Sequence, residues 1–191
     1  MVGACEGNIS VRLDGERLLC SPAGACKGTM DPTDLVVIKN DGTSVSGGTP
    51  SSEIKLHLRA FLRRPDCQAV VHAHPPVATA FTVAGQDIPD DVLPESGYVL
   101  GPVAHVPFGY PGTDEVPDGL EPFLADHKTF LLSHHGAVTL GRDLWDACDR
   151  METLERVATV LMYAHTLGRV LPMPPHAFDR LLGVALKGGL E

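Results

Sequence analysis

The chain has 191 residues, of which 43% are hydrophobic and 20% are charged, enough for one globular domain with a sizeable core. Its 15 basic and 24 acidic residues give a formal net charge of −9, which argues against binding to nucleic acid or to an anionic membrane surface. The five cysteines include no CxxC pair, and no run of about 18 apolar residues could span a bilayer. We therefore expect a single cytoplasmic domain over residues 1–191, held together by neither disulfides nor a thiolate zinc site.

The first part of the chain is expected to form two hairpins and a helix. Asp14-Gly15 and Asn40-Asp41-Gly42 are turn signals, each between two short β-prone segments. Ser51 and Ser52 are start signals for an amphipathic helix. The predicted strands cover residues 9–13, 17–20, 34–38 and 43–45, and the predicted helix covers residues 52–64.

The remaining segments alternate between strands and helices. Predicted strands cover residues 67–74, 99–106 and 129–133, and predicted helices cover residues 77–84, 115–126, 143–167 and 177–186. Asp143 can cap the long helix, whose apolar residues recur at three- and four-residue steps. This order predicts an α/β fold with α+β character: three layers, with a mainly antiparallel or mixed central sheet covered by helices. The segment SGGTPSSE lacks the spacing of a dinucleotide-binding or Walker loop, which argues against a Rossmann fold.

Two histidines end the apolar segment VVHAH. Residues i and i+2 of a strand share a face, so His72 and His74 are expected to project together, and Pro75 stops the strand beyond them. In FLLSHHG, a buried strand breaks into a turn that can direct either His134 or His135 towards that pair. Three neutral imidazoles with one open position form a typical catalytic zinc site. The alternative is that these histidines are ordinary core or surface residues.

A carboxylate near such a metal is needed to move protons, and Glu53 at the predicted helix start is the candidate. Hydroxyl groups and unpaired backbone N–H groups at a helix start also bind anions. The alternative is that Ser51 or Ser52 is only a helix cap and that Glu53 only compensates the helix dipole. The turns GNIS, at residues 7–10, and SPAG, at residues 21–24, are two further donor-bearing segments.

Taken in order, GNISVR, SPAG, SSE, HAH and HHG resemble the motifs of the class II aldolase/adducin family. The resemblance extends from Gly7 to the helix after Asp143. It implies a family-like fold and a homotetramer with active sites between subunits. It also implies that Glu53 is the catalytic acid/base. The implied metal ligands, for Zn²⁺ or another divalent ion such as Mn²⁺ or Co²⁺, are His72, His74 and His135, and the implied phosphate-binding residues are Asn8, Gly24, Ser51 and Ser52, with Lys27 nearby.

The sequence departs from the family pattern at two positions that bear on the substrate. Cys5 stands where the family commonly has a threonine in its phosphate loop, and a thiol is a weak hydrogen-bond donor. Leu93 falls near the position of a tyrosine that a neighbouring subunit supplies as a proton donor in relatives. Tyr98 and Tyr110 are possible substitutes, and Glu95 is a further polar candidate.

The expected function is that of a metal-dependent lyase that cleaves or forms a C–C bond in a small sugar phosphate through a zinc-stabilised enediolate. A decarboxylase, dehydratase or epimerase on the same scaffold is the alternative, and Cys5 makes decarboxylation of an unphosphorylated acid the most credible variant. Two further readings are a non-catalytic module like the adducin head and a carbonic-anhydrase-like hydratase. The SSE and GNIS segments have no role in the hydratase scheme.

Overall fold

The computed structural model describes residues 6–46 and 48–185. Within these residues the strands are β1 Asn8–Arg12, β2 Arg17–Cys20, β3 Val36–Lys39, β4 Ala69–Ala73, β5 Val103–Val106, β6 Thr129–Leu132 and β7 Gly136–Gly141. The α-helices are α1 Ile54–Arg63, α2 Pro76–Ala84, α3 Glu115–Leu120, α4 Leu144–Leu167 and α5 Pro175–Ala185. Short 3₁₀ helices cover Pro32–Asp34 and Glu121–Phe123, and a π-helix covers Ser96–Leu100.

The strands form one sheet in the order β3-β2-β1-β4-β7-β6-β5. Neighbouring strands are antiparallel, except that β5 and β6 are parallel. The expectation of a mainly antiparallel or mixed sheet is therefore confirmed. Strand β4 lies at the centre, between β1 and β7, and all five of its residues are buried.

Helices cover both faces of the sheet. Successive strand residues point to opposite sides, so strands with buried apolar residues at successive positions present an apolar surface on each face. Val70 and Val138 belong to the core that includes the apolar residues of α1 and α3. Val71 and Ala137, one residue along, belong to a second core that includes those of α2 and α4. The predicted three-layer arrangement is therefore confirmed. No helix of the described chain has the length and apolar character that crossing a bilayer requires.

Three predicted elements were wrong in part. Residues 43–45 form no strand, and only an isolated bridge joins Ser44 to Ile38. The predicted strand at 99–106 begins only at Val103, because the π-helix precedes it and Pro102 has no N–H to donate. The predicted helix at 115–126 continues beyond Leu120 only as a 3₁₀ turn that contains Pro122.

Strand β7 was absent from the predicted elements. Its sequence, GAVTLG, is short and has glycine at both ends, which favours a turn when only neighbouring residues are considered. Its two strand partners, β4 and β6, supply the hydrogen bonds that local sequence cannot indicate.

Candidate metal and active site

Strand β4 places His72 on the sheet face that α1 covers. His72 shares this face with Val70, and the strand register pairs it with Asn8 of β1. The His72 side chain is fully buried, and its Nδ1 lies 2.9 Å from the carbonyl oxygen of Ala137. A carbonyl oxygen only accepts, so Nδ1 carries the hydrogen and Nε2 keeps a lone pair for a ligand.

His74 lies just beyond the end of β4, at the mouth of the sheet. Its Nε2 is 3.1 Å from Nε2 of His72, and its Nδ1 is 3.7 Å from a carboxylate oxygen of Glu6. Burial and the neighbouring imidazoles lower the pKa of His74. The ring is therefore biased towards the neutral form, which is the form that binds a metal.

The turn between β6 and β7 brings in the third imidazole. His134 adopts a left-handed backbone conformation, with φ of 55°, and its side chain is exposed. The chain reverses there, so that His135 turns inward and its ring centroid lies 4.8 Å from that of His72 and 4.9 Å from that of His74. The geometry thus brings His135, and not His134, to the pair on β4.

Gly136 permits this close approach of the turn to β4. A Cβ atom at residue 136 would lie 2.5 Å from the carbonyl oxygen of Ala73 and 2.6 Å from Cδ2 of His74. Both distances are shorter than van der Waals contact allows, so a larger residue would push His135 away from the other two rings.

Glu53 faces the same point from the start of α1. Its Oε2 is 3.4 Å from Nε2 of His72, and its Oε1 is 3.2 Å from Nε2 of His135. Burial by itself would raise the pKa of Glu53, but the imidazoles of His135 and His72 that face its carboxylate outweigh burial and lower this pKa far below the usual range. Glu53 is therefore an ionised carboxylate, and its side chain does not cap α1.

The three imidazoles fit a divalent metal. One ligand nitrogen from each of His72, His74 and His135 lies within 4.8 Å of the others. The set is nitrogen-only and partly open to solvent at His74, which is typical of a catalytic zinc site with a free position. The Ala137 carbonyl oxygen holds the His72 ring in the orientation that such a site needs.

A family model supplies the deciding comparison: Class II Aldolase and Adducin N-terminal domain, matched by residues 1–162. The chain belongs to this family. The resemblance inferred from the five motifs is thereby confirmed.

Relatives within the class II aldolase family carry two kinds of name. The chain is 37% identical over 159 residues to 3-oxo-tetronate 4-phosphate decarboxylase of Escherichia coli, and the alignment covers 81% of this chain and 75% of the relative. It is 30% identical over 156 residues to L-fuculose phosphate aldolase of Methanocaldococcus jannaschii, and that alignment covers 82% of this chain and 83% of the relative.

Solved structures of the family have the same fold. The structure of YgbL from Escherichia coli superimposes with a TM-score of 0.88 and 31% identity, over 94% of this chain and 88% of that chain. An L-fuculose 1-phosphate aldolase superimposes with a TM-score of 0.85 and 25% identity, over 97% and 86%.

The segments that resemble the family's phosphate-binding motifs lie beside Glu53. Asn8 donates from Nδ2 to Oε2 of Glu53, at 3.0 Å, and to Oγ of Ser51, at 3.1 Å. The SPAG turn, with Gly24 in a left-handed conformation, pairs with the residues just before Ser51 through the Pro22–Pro50 bridge. Ser52 is exposed at the start of α1.

Lys27 and Asn8 line a cavity of 160 Å³ whose other lining residues include Val71 and Met151 of the second core, on the α4 side of the sheet. The Lys27 ammonium donates to the carbonyl oxygen of Ala25, at 3.0 Å. Cys5, at the remaining position of the GNIS loop motif, lies outside the described residues.

The contacts recorded for Glu95 and Tyr110 are with residues outside the histidine cluster. Glu95 forms an ion pair with Arg156 of α4, at 3.2 Å. Tyr98 lies on the π-helix and its side chain is exposed. Tyr110 is exposed, and its ring contacts that of Phe108 with centroids 5.3 Å apart. No hydrogen bond within the described residues joins either tyrosine hydroxyl to His72, His74 or His135.

Two contacts near the site were missed or only partly anticipated. Glu6, next to His74, was not predicted because its residue stretch carries no recognisable pattern. His57, one helical turn after Glu53, contacts Asn8 and Ser10 on β1, and the Asn8 amide reaches Glu53. Only the strand register reveals this arrangement.

Proposed function

We propose that the protein is a divalent-metal-dependent decarboxylase that acts on a phosphorylated 3-oxo sugar acid such as 3-oxo-tetronate 4-phosphate. The observation that carries the proposal is the position of Glu53, whose carboxylate oxygens lie 3.2 and 3.4 Å from Nε2 of His135 and His72. A carboxylate in this position would face a substrate bound to a metal that the three imidazoles hold. The names of relatives at 35–37% identity in several bacteria support decarboxylation over the aldol cleavage that was the first expectation.

His72, His74 and His135 would hold the metal, with Zn²⁺ the first candidate and Mn²⁺ or Co²⁺ the alternatives. When bound, the ion supplies a Lewis acid that polarises the ketone next to the breaking bond and stabilises the negative charge left by carbon dioxide. Nδ1 of His72 stays bonded to the Ala137 carbonyl oxygen and keeps that ligand neutral and oriented.

Loss of carbon dioxide leaves an electron pair on C2, and one proton from solvent must reach that carbon. The balanced reaction converts 3-oxo-tetronate 4-phosphate and one proton to carbon dioxide and the three-carbon ketose phosphate, dihydroxyacetone phosphate. Glu53 is ionised, so it accepts a proton from water or from a substrate hydroxyl group before passing it to C2. Its role is therefore that of a proton shuttle, with the Asn8 amide keeping one of its oxygens in place.

The phosphate group would bind at the start of α1. Oγ of Ser51 accepts hydrogen bonds from Asn8 Nδ2 and from the Glu53 backbone N–H, so its own hydrogen is free to donate to an anion. Ser52, Gly24 and the helix dipole add neutral donors and a partial positive charge. Such neutral donors would let a chain of net charge −9 hold a phosphorylated substrate.

We also propose a homotetramer in which a neighbouring subunit completes each active site, with Tyr98 or Tyr110 as an additional proton donor. Exposure of the Tyr110 ring beside Phe108 supports an intersubunit role for this loop. Light scattering should give four times the chain mass, and Tyr110→Phe should lower turnover without changing the metal content. A monomer with full turnover would contradict this proposal.

The experiment compares two substrates with the same zinc-loaded protein. Carbon dioxide release from 3-oxo-tetronate 4-phosphate is measured by a coupled assay, and aldehyde release from L-fuculose 1-phosphate is measured in parallel. We expect carbon dioxide release to dominate. Aldehyde release alone would establish the aldolase alternative, and stoichiometric metal without either product would direct the search to epimerase or dehydratase substrates. Absence of metal binding would instead favour a non-catalytic module.

A further inference from the structure

A chain of buried polar residues runs from β1 to Glu53 and includes His57, a residue to which the proposed function gives no role. His57 of α1 has no exposed surface, and Ser10 and Asn8 of β1 are 1% and 5% exposed. Nδ1 of His57 lies 2.5 Å from Oγ of Ser10, and its Nε2 contacts Oδ1 of Asn8. Asn8 in turn donates to Glu53 and Ser51, so three side chains, those of His57, Glu53 and Ser51, contact one amide group.

Every hydrogen-bonding atom of the Asn8 amide has a partner. Its two N–H groups donate to the Glu53 carboxylate and the Ser51 hydroxyl oxygen, and its carbonyl oxygen faces His57. A carboxylate only accepts, so this orientation of the amide is required on the Glu53 side. The group that faces the amide oxygen must therefore donate.

This requirement fixes the tautomer of His57. A hydrogen on Nε2 donates to Asn8 Oδ1, and Nδ1 then accepts from the Ser10 hydroxyl. With the hydrogen on Nδ1 instead, the Nε2 lone pair would face the amide oxygen. The amide would then be driven to rotate, which would point its oxygen at the Glu53 carboxylate and leave a buried acceptor without a donor.

We propose that His57, as the neutral Nε2–H tautomer, is the positioning residue of this site: it locks the Asn8 amide so that its N–H groups hold Glu53 and Ser51. This inference deepens the proposed function and rests on it for the role of Glu53. His57 lies one helical turn from Glu53, but it acts on Glu53 through Asn8 of β1. The strand register pairs Asn8 with His72, which places the Asn8 amide between α1 and the metal ligands. The Asn8 amide thus holds both Glu53, the proposed proton shuttle, and the Ser51 hydroxyl group, which is proposed to bind phosphate.

A purely structural role for His57 makes a different prediction. If the ring only filled the space beneath α1, any variant of equal stability would have equal turnover. If it orients Asn8, turnover depends on a hydrogen-bond donor at this position and not on stability. His57→Gln keeps an amide that can donate to Asn8 and accept from Ser10, whereas His57→Leu keeps the bulk and removes both bonds.

The first test measures turnover, metal content and stability for His57→Leu, His57→Gln and a control. The control is Phe61→Leu, which lies on the same helix, is buried in the same core and does not contact the polar chain. We expect His57→Leu to lower kcat roughly 10- to 100-fold with full zinc content, as loss of supporting hydrogen bonds around a metal site does. His57→Gln should restore most of that loss, and Phe61→Leu should keep the wild-type kcat. Equal kcat in His57→Leu and wild type would overturn the inference.

The second test needs neither substrate nor turnover, so it separates this inference from the proposed function. Long-range ¹H–¹⁵N correlation spectra of the imidazole rings in the zinc-loaded wild-type protein report which nitrogen of His57 carries the hydrogen. We expect Nε2–H, together with side-chain N–H protons of Asn8 that exchange slowly with solvent and become fast in Ser10→Ala or His57→Leu. A hydrogen on Nδ1, or unchanged Asn8 exchange in both variants, would overturn the inference even if the decarboxylase is confirmed. The expected spectra without any carbon dioxide release would reject only the proposed reaction.

Discussion

Nε2 of His72 lies 3.1 Å from Nε2 of His74, at the end of a strand with every residue buried. Two imidazole nitrogens at this distance can share at most one hydrogen, and the third imidazole, His135, adds another lone pair to the same space. Such a cluster is stabilised by a cation that accepts all three lone pairs. The spacing of the histidines, rather than their number, is therefore what indicates a metal centre.

Removing one imidazole of the cluster should abolish stoichiometric metal. His72→Ala and His135→Ala should each lose most of the zinc found in the wild-type protein by elemental analysis, because two ligands bind too weakly to survive dialysis. His134→Ala is the matched control, since its side chain is exposed and its neighbour alone joins the cluster. Equal zinc loss in His134→Ala and His135→Ala would contradict the assignment.

Neutralising Glu53 should remove turnover and leave the metal in place. Glu53→Gln keeps the shape of the side chain but cannot carry a proton between solvent and substrate, so we expect kcat to fall about 10²- to 10⁴-fold. Steady-state kinetics and elemental analysis on the same preparation measure both quantities. Glu95→Gln, which loses only the ion pair with Arg156, should have near wild-type kcat. If Glu53→Gln retained full turnover, another group would have to move the proton.

A methyl group at residue 136 should disrupt the site. Gly136→Ala places Cβ 2.5 Å from the Ala73 carbonyl oxygen and 2.6 Å from the His74 ring, so the turn must shift. We expect a loss of about 1–3 kcal/mol in the free energy of unfolding, and weaker zinc binding, measured by urea denaturation and zinc titration. Gly15→Ala, where the added atom meets open space, should leave zinc affinity unchanged. Wild-type zinc affinity in Gly136→Ala would show that the close approach is dispensable.

His57 should make the protein less stable at acidic pH. Burial lowers its pKa from 6.5 to about 3. Between these two pH values the unfolded chain binds a proton at this residue and the folded chain does not. The free energy of unfolding therefore decreases as the pH falls below 6.5, by about 1.4 kcal/mol per pH unit from this residue alone.

The measurement for this prediction is urea denaturation of wild-type protein and His57→Gln at pH 7, 6, 5 and 4. The stability advantage of the wild type should shrink with each step towards pH 4, because glutamine does not titrate. A constant difference between the two proteins across this range would contradict the prediction.

The sequence alone predicted the layers of the fold, because apolar periodicity and turn residues are local signals. Helix α4, for example, runs from Leu144 to Leu167 with Asp143 as its cap, close to the predicted bounds. Strand β7 was missed because it pairs with β4, which is distant in the chain. The π-helix before β5 was missed because tertiary packing against α4 favours it. Local propensity contains neither kind of information.

For the site, residue spacing predicted that His72 and His74 would project together, and the turn in SHHG predicted that one further histidine could join them. The choice of His135 depended on the family resemblance, and its structural cause is the left-handed backbone at His134, followed by the close contact of Gly136 with β4. The link from His57 through Asn8 to Glu53 could not be predicted from the sequence, since it depends on the register between β1 and β4. A shift of one residue in that register would turn Asn8 away from the site.

In the proposed reaction the three imidazoles hold the metal and Glu53 moves the proton while carbon dioxide leaves a phosphorylated 3-oxo acid. The most direct measurement follows carbon dioxide and ketose phosphate from 3-oxo-tetronate 4-phosphate in D₂O, for zinc-loaded wild type, chelator-treated wild type and zinc-loaded Glu53→Gln. We predict one carbon dioxide and one singly deuterated ketose phosphate per substrate for the zinc-loaded wild type, and little of either for the other two. No carbon dioxide from zinc-loaded wild type, or equal release from Glu53→Gln, would contradict the claim.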